Sequence, residues 1–302
     1  MNRRNALQTL AVTSGVTLLT PATAGGKKQD KSKLKFSLNT STVSGQKPGI
    51  EKYIDIAARA GYECIEPWIN DLRAYMSNGG SLRTLKKLLD DSKVKPINAI
   101  GFAPWMTDDE DQRKAGFTQM REEMEIMAEL GCTRIAAPAA GVRTAPDLFK
   151  VGERYRELLD LGRQTGVRPQ LEIWGASVFF HIGQAMMAVA VANDPDARIL
   201  PDVYHLFRGN SGFESLKMLD GNMIEVFHMN DYPDTIPREQ MEDKDRIYPG
   251  DGVAPLKQII AALKKMGGEK ILSLELFNRE YWKQDPLQVA KTGLEKMRKA
   301  VA

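Results

Sequence analysis

Short apolar segments rich in β-branched residues alternate with longer amphipathic segments from Leu34 to the end of the chain. This alternation constrains the fold most, because strands separated by helices form parallel sheets. We predict strands at residues 34–41, 64–69, 95–101, 133–138, 169–174, 198–204, 223–229 and 270–277. Helical patterns occupy residues 50–60, 81–91, 109–130, 147–165, 183–193, 213–219, 254–266 and 287–301. The chain is therefore expected to be an α/β protein.

The number of alternating strands and helices distinguishes between two α/β architectures. Eight strands with helices over residues 34–302 match a (β/α)₈ TIM barrel, which typically has about 250 residues. An open doubly wound sheet is the alternative, and it would be expected to carry a glycine-rich turn after its first strand. Residues 39–45, Asn-Thr-Ser-Thr-Val-Ser-Gly, do not form such a turn. We therefore predict a single-domain TIM barrel over residues 34–302.

Residues 1–24 have a different pattern from the rest of the chain. Arg3 and Arg4 precede a mildly apolar run at residues 6–19, and the small residues Ala22 and Ala24 precede Gly25. This pattern predicts a twin-arginine-type signal peptide, with an amphipathic helix as the alternative. The apolar run is too short for a stable membrane span, and residues 25–33 form a polar linker. We therefore expect the twin-arginine export machinery to deliver the protein to the periplasm.

Charge and cysteine content exclude two classes of function. The formal net charge is +3, and no basic run is longer than Lys27-Lys28, so the chain lacks the basic surface expected of a nucleic-acid-binding protein. Cys64 and Cys132 are too few for a disulfide scaffold or a thiolate zinc site, and we expect two free thiols. Any metal must therefore be held by histidine and carboxylate side chains.

Four ionisable residues lie within or next to apolar strand segments. They are Glu172, Asp202, His228 and Glu275, each in a different predicted strand. A buried charge costs several kcal/mol unless it is paired or binds a metal. Because barrel enzymes build their active sites at the carboxyl ends of the strands, we expect these four side chains to meet there.

Three carboxylates at one barrel mouth repel each other unless a cation lies among them. Three carboxylates and an imidazole suit one divalent ion, Mn²⁺ or Mg²⁺ first, with Co²⁺ or Zn²⁺ as alternatives. A buried ion-pair network is the alternative without metal, and it needs basic partners. No Lys or Arg lies in residues 170–174, 200–205, 226–231 or 272–277, so the sequence favours the metal site.

Five short motifs resemble those of the xylose isomerase-like TIM-barrel superfamily of sugar and sugar-phosphate isomerases and epimerases. They are Leu171-Glu172, Asp202-Val-Tyr-His205, His228-Met-Asn-Asp231, Arg246 before Pro249-Gly-Asp-Gly252, and Ser273-Leu-Glu275-Leu-Phe277. The superfamily includes ketose 3-epimerases, hydroxypyruvate isomerases and inositol-catabolic members. The resemblance covers nearly all of the chain after the predicted signal peptide.

The resemblance also implies a role for each candidate site residue. Glu172, Asp202, His228 and Glu275 would bind one divalent metal ion, and Glu172 and Glu275 would also act as the acid/base pair. His205 and Arg246 would contact substrate oxygens, and Glu66 would face the pocket. Arg238 is an alternative to Arg246, and His181 is expected to be structural because it lies at a predicted helix start. Trp174 is expected to stack on the sugar, as Trp68, Trp105 and Phe277 could.

These residues together predict an enzyme that removes a proton next to a carbonyl through an enediolate. Return of the proton to the opposite face gives an epimer, and return to the neighbouring carbon gives an aldose–ketose isomer. A lyase acting on 3-keto-sugars or keto-glycosides is the first alternative, and a non-catalytic sugar-binding barrel is the second. Metal-dependent endonucleases in the same superfamily use several metals and many histidines, whereas this chain has three histidines.

Overall fold

The computed structural model describes residues 33–302, and this part of the chain contains eight strands and nine α-helices. The strands are β1 Leu34–Asn39, β2 Cys64–Glu66, β3 Lys95–Pro96, β4 Arg134–Ala137, β5 Arg168–Glu172, β6 Ile199–Leu200, β7 Val226–Met229 and β8 Lys270–Leu274. The helices are α1 Ile50–Ala60, α2 Ile69–Ser77, α3 Leu82–Ser92, α4 Glu110–Glu129, α5 Leu148–Thr165, α6 Ile182–Ala192, α7 Val203–Arg208, α8 Leu256–Met266 and α9 Pro286–Val301. The predicted signal peptide and all but the last residue of the predicted linker lie outside the described residues.

The strands close into a barrel in chain order. Hydrogen bonds join them as β3-β2-β1-β8-β7 and as β4-β5-β6, and all of these pairs are parallel. Backbone hydrogen bonds also join the two groups: Ala136 N donates to Ala99 O over 2.9 Å, Ile199 N to Met223 O over 2.8 Å, and His228 N to Pro201 O over 3.0 Å. The predicted (β/α)₈ TIM barrel is confirmed.

Side-chain caps explain where several helices begin. Asp109 and Asp147 accept hydrogen bonds from backbone N–H groups in the first turns of α4 and α5, as N-terminal caps do. Asp202 caps α7 in the same way, because its Oδ1 accepts a hydrogen bond from His205 N over 2.7 Å. The predicted strand at 198–204 was therefore wrong in its second half, and helix α2 was not predicted.

The amino-terminal end of the barrel carries a partly buried charge cluster. Glu225 precedes β7 and accepts hydrogen bonds from Arg134, Arg168 and Arg198, which lie at the starts of β4 and β5 and just before β6. Burial opposes ionisation of Glu225, but the three arginines outweigh it and lower the pKa of this carboxyl. This end of the barrel is therefore built for stability, and chemistry is expected at the opposite end.

Two further findings concern classes of function. Cys64 and Cys132 are buried free thiols, as predicted, and burial raises the pKa of the Cys64 thiol to about 11 and that of the Cys132 thiol to about 12. Within residues 33–302, none of the helices combines the length and hydropathy that a bilayer-spanning segment requires.

Candidate active site

The candidate site residues lie at the carboxyl ends of the strands. Glu66 and Glu172 are the last residues of β2 and β5, and His228 lies near the end of β7. Asp202 and Glu275 follow β6 and β8 by one or two residues. Because all strands are parallel, these ends meet at one mouth of the barrel. The structure therefore brings together the residues that the sequence placed in separate strands.

Three of the predicted metal ligands form a compact group. Asp202, His228 and Glu275 offer ligand atoms that all lie within 4.8 Å of one another. His228 Nδ1 is 3.1 Å from Glu275 Oε2 and 3.9 Å from Asp202 Oδ2. Glu172 lies beside the group, with its Oε1 3.8 Å from His228 Nδ1. The four side chains thus converge around one nitrogen.

Glu66 holds the His228 ring in place. Glu66 Oε1 is 3.0 Å from His228 Nε2 and accepts a hydrogen bond from Asn98. Glu66 Oε2 accepts hydrogen bonds from Asn39 and Ser273. From the sequence we expected Glu66 to face the pocket. Its carboxylate is instead fully buried, and these contacts occupy both of its oxygens. The structure thus places Glu66 behind His228.

Three buried polar atoms at the site lack hydrogen-bond partners among residues 33–302: Arg246 Nε, which cannot bind a metal, and His228 Nδ1 and Glu172 Oε2, which can. Buried polar atoms in folded proteins nearly always have such a partner, so these last two atoms are suited to bind a further ligand. Histidine ligands to metals typically hydrogen-bond a carboxylate through their other ring nitrogen, as His228 does with Glu66. The donor set and the two orphaned atoms therefore fit a divalent metal ion.

Arg246 corrects one expectation from the sequence. Its Nη1 donates hydrogen bonds to Glu275 Oε2 over 2.7 Å and to Asp202 Oδ2 over 3.1 Å. The guanidinium is 1% exposed and comes from the segment between β7 and α8. The inference that these carboxylates have no basic neighbour was therefore wrong, because it considered only the strand segments. An ion pair with Arg246 offsets part of their mutual repulsion.

Aromatic rings hold Arg246 against the site. Its guanidinium carbon lies 4.5 Å from the centre of the Tyr204 ring and 5.0 Å from the centre of the Phe277 ring. Its Nη2 lies 3.0 Å from His205 Nε2. Cation–π contacts of this kind are stronger in buried sites than on the surface. Arg246 and His205 are therefore held together, as neighbours, at the mouth of the barrel.

The acidic residues of the site have divergent pKa values. Burial raises the pKa of Glu172 to about 8 and, against the effect of Arg246, that of Asp202 to about 6. For Glu275, His228 and Arg246 outweigh burial and lower the pKa. The carboxylates Glu275 and Glu66 hold the pKa of the buried His228 well above its usual value. The site thus contains one carboxyl that favours its protonated form and another that favours its ionised form.

One cavity of about 310 Å³ opens at this mouth of the barrel. Glu172, His205, Arg246 and Glu275 line it, and each is at most 7% exposed. We call these four residues the polar floor. The other lining residues include Trp68, Phe102, Trp174, Tyr204 and Phe277. The predicted acid/base pair and both predicted substrate contacts, together with Trp174, therefore share one cavity.

The remaining candidates lie elsewhere. Trp105, which the sequence left open to stacking or to plain packing, is fully buried and donates a hydrogen bond to Pro138 O, so it packs in the core. Arg238 is bonded to Glu239 and Asn210 outside the cavity. His181 caps α6 by accepting a hydrogen bond from Gly183 N, which confirms its structural role. Sequence reasoning missed Phe102, since a single phenylalanine in a loop carries no periodic signal.

Two curated relatives align with most of this chain. An inosose isomerase from Bacillus velezensis is 26% identical over 270 residues, which cover 87% of this chain and 95% of that protein. A 3-dehydroshikimate dehydratase from Pseudomonas putida is 25% identical over 273 residues. This second alignment covers 86% of this chain but 41% of the dehydratase. The alignments thus connect the whole barrel to an isomerase and to one part of a dehydratase.

Two solved structures share the fold. The crystal structure of IOLI protein with a binding zinc atom has a TM-score of 0.82 and 25% sequence identity, covering 88% of this chain and 98% of that one. A D-psicose 3-epimerase structure has a TM-score of 0.70 and 17% identity over 88% of this chain and 99% of that one, which shows the fold alone. The family model described as xylose isomerase-like TIM barrel matches residues 54–300. The chain therefore belongs to the xylose isomerase-like TIM barrel family.

Proposed function

We propose that this protein is a divalent-metal-dependent sugar isomerase or epimerase that removes a proton next to a carbonyl through an enediolate. The observation that carries the proposal is the placement of Glu172 and Glu275 in one cavity, with His205 and Arg246 beside them. Two carboxylates that reach one substrate can remove a proton and return it at another position. The inosose isomerases among the curated relatives support an isomerase.

Each residue of the polar floor has a distinct task in this proposal. Arg246 and His205 bind and orient substrate oxygens, since both line the cavity and contact each other over 3.0 Å. One of the two glutamates takes the proton from the carbon beside the carbonyl. The other returns it, to the opposite face for an epimer or to the neighbouring carbon for an isomer. The aromatic lining keeps water away from the reacting carbon.

Glu172, Asp202, His228 and Glu275 would hold the metal ion. The orphaned His228 Nδ1 and Glu172 Oε2 support this assignment, as does the zinc in the IOLI structure. Mn²⁺ or Mg²⁺ is proposed first, with Co²⁺ or Zn²⁺ as alternatives. When bound, such an ion would polarise the substrate carbonyl and stabilise the negative charge of the enediolate. Glu66 would orient the His228 ring as a metal ligand through its contact with Nε2.

Hydrogen exchange tests the proposal without knowledge of the final product. The protein is incubated in D₂O with a ketose, an inosose or 3-keto-glucose, and deuterium uptake is followed by NMR. We expect a substrate to gain deuterium at the carbon next to its carbonyl, because the enediolate has lost that hydrogen. Turnover of a substrate without label in substrate or product would contradict the proposal, and so would the absence of exchange in all three compounds.

A lyase is the second candidate. Two curated relatives are 3-dehydroshikimate dehydratases, 25% and 27% identical to this chain. Elimination begins with the same proton removal, and a leaving group on the next carbon then departs with a proton from the second carboxyl. Formation of an ultraviolet-absorbing enone from a 3-keto-glycoside would identify this outcome. Retention of both glutamates in the cavity favours either enzyme over a non-catalytic sugar-binding barrel.

We also propose that residues 1–24 direct export through the twin-arginine machinery to the periplasm. This proposal rests on Arg3, Arg4 and the small residues before Gly25, all of which lie outside the described residues. A route that carries folded protein suits a carboxylate site, because the metal can then be bound before export. Unphosphorylated sugars are the substrates that such a location favours.

A further inference from the structure

The cavity has two chemically different parts. Its polar floor consists of the four residues Glu172, His205, Arg246 and Glu275. Above the floor stand four aromatic side chains, Trp68, Phe102, Trp174 and Phe277, which we call the aromatic wall. The wall is more exposed than the floor: Phe102 is 37% exposed, whereas Glu172 and Glu275 are 3% exposed. A ligand that fills the cavity therefore meets buried charged groups at depth. Nearer the opening it meets mainly flat apolar groups, together with the exposed carboxylate of Asp243.

The four rings of the aromatic wall contact one another. The ring centres of Trp68 and Phe102 are 5.3 Å apart, and those of Phe102 and Trp174 are 5.9 Å apart. Phe277 joins the group through Trp68, at 5.9 Å. Trp68 Nε1 also donates a hydrogen bond to Asn39 Oδ1 over 3.0 Å. These spacings are those of interacting aromatic rings, so the four rings form one continuous surface.

The size of the cavity exceeds what one six-membered ring needs. A cavity of about 150 Å³ suffices to bind a benzene molecule. The cavity here, at about 310 Å³, has room for two rings of that size. A single keto-sugar on the polar floor would leave much of the aromatic wall without a contact. Exposed apolar surface of this kind typically marks a place where a ligand binds.

We propose that the aromatic wall binds a second, flat apolar ring that is attached to the sugar on the polar floor. The substrate class is then a glycoside or other conjugate with an aromatic group, in place of a free monosaccharide. This inference rests on the proposed function, since it assumes that the floor binds a carbohydrate. Phe102 is the residue that most directly selects this class, because it is the most exposed ring of the wall.

Equilibrium binding of two non-reactive probes tests the inference. Isothermal titration compares phenyl β-D-glucoside with methyl β-D-glucoside, which differ only in the second ring. We expect the metal-loaded protein to bind the phenyl compound about tenfold more tightly, because one added aromatic contact and its buried area supply about that much. Equal affinities, or no measurable binding of the phenyl compound, would overturn the inference.

Two phenylalanine variants test whether the preference for the phenyl compound depends on Phe102. Phe102→Ala is expected to reduce the preference for the phenyl compound to threefold or less, with little change for the methyl compound. Phe180→Ala is the matched control, because Phe180 is 36% exposed but lies outside the cavity lining, and it should keep the full preference. Equal weakening of both probes in Phe102→Ala would show that this ring contacts the sugar, and the inference would fail.

The test also separates this inference from the proposed function. Binding of these probes requires no proton removal, whereas the D₂O exchange described above does. Suppose that a keto-sugar gains deuterium but the phenyl compound binds no more tightly than the methyl compound. This result would leave the isomerase or epimerase proposal intact and would refute the binding of a second ring. A phenyl preference that disappears in Phe102→Ala, without exchange in any keto-sugar, would support the aromatic subsite and contradict the proposed reaction.

Discussion

The Glu66 carboxylate lies 3.0 Å from His228 Nε2, so the other nitrogen of the ring, Nδ1, faces the carboxylates at the opening of the barrel. This contact selects which nitrogen is available as a ligand, because Nε2 is paired with Glu66. A residue that never reaches the cavity thereby determines the chemistry inside it.

Glu66→Gln should therefore weaken metal binding by about 10–100-fold, the usual effect of losing a carboxylate behind a histidine ligand. Titration of the metal-free protein with Mn²⁺ or Zn²⁺ measures the change. Glu123→Gln is the matched control, since Glu123 is equally buried but lies on α4 away from the site. Unchanged affinity in Glu66→Gln would show that the His228 ring is positioned by other contacts.

Protein purified without chelator should contain about one divalent ion per chain. His228→Ala should greatly reduce this content, because it removes the nitrogen ligand of the site. Elemental analysis measures the metal, and thermal unfolding should show a lower Tm after treatment with EDTA, since a ligand bound only to the folded state stabilises it. Wild-type protein that holds no metal and keeps its Tm in EDTA would favour the ion-pair network around Arg246.

Glu172→Gln and Glu275→Gln should each lower turnover by about 10²–10⁴-fold, the usual contribution of a positioned acid or base. Metal content is measured in each variant, because both residues are also proposed ligands. The informative variant is one that keeps its metal and loses deuterium exchange. A glutamine variant with full metal content and full activity would remove that residue from the acid/base pair.

The Glu225 cluster should make the barrel sensitive to acid. The three arginines lower the pKa of Glu225 in the folded protein, so its stabilising effect is present above about pH 4.3 and is lost as the pH falls through the lowered value. Glu225→Gln should cost about 2 kcal/mol in the free energy of unfolding at pH 7.

Urea denaturation at several pH values measures this effect as a difference from wild type. The difference should shrink as the pH falls below about 4.3, because Glu225 then takes up a proton in the unfolded chain while the folded protein still disfavours it. The exposed pair of Lys35 and Glu269 provides the comparison, and Glu269→Gln should cost less than about 1 kcal/mol. A difference between wild type and Glu225→Gln that stays constant from pH 7 to pH 3 would refute the role of ionised Glu225.

Replacement of both Arg3 and Arg4 by lysine should leave the precursor in the cytoplasm. The export machinery recognises the twin-arginine pair in a signal of this type. Cell fractionation and the size of the product report export and cleavage between Ala24 and Gly25. Export of the lysine variant at the wild-type rate, or an uncleaved wild-type product in the periplasm, would contradict the predicted signal.

Local pattern alone predicted the eight strands and most of the helices, although not α2 or α7, and it singled out Glu172, Asp202, His228 and Glu275. Apolar periodicity reports burial over a few neighbouring residues, and a charge inside such a segment is costly, so both signals can be read without a structure. The ends of the elements were predicted less accurately. The strand predicted at 198–204 ends at Leu200, because the side chain of Asp202 caps helix α7.

Only the tertiary structure decided which residues surround those four. Arg246 reaches Asp202 and Glu275 from a long loop after β7, and Phe102 enters the cavity from the loop after β3. Loop conformation depends on contacts between residues far apart in the chain, and no periodic pattern records it. The same reason explains why Glu66 lies behind His228 and why Trp105 is buried: both positions are set by neighbours from other strands and loops.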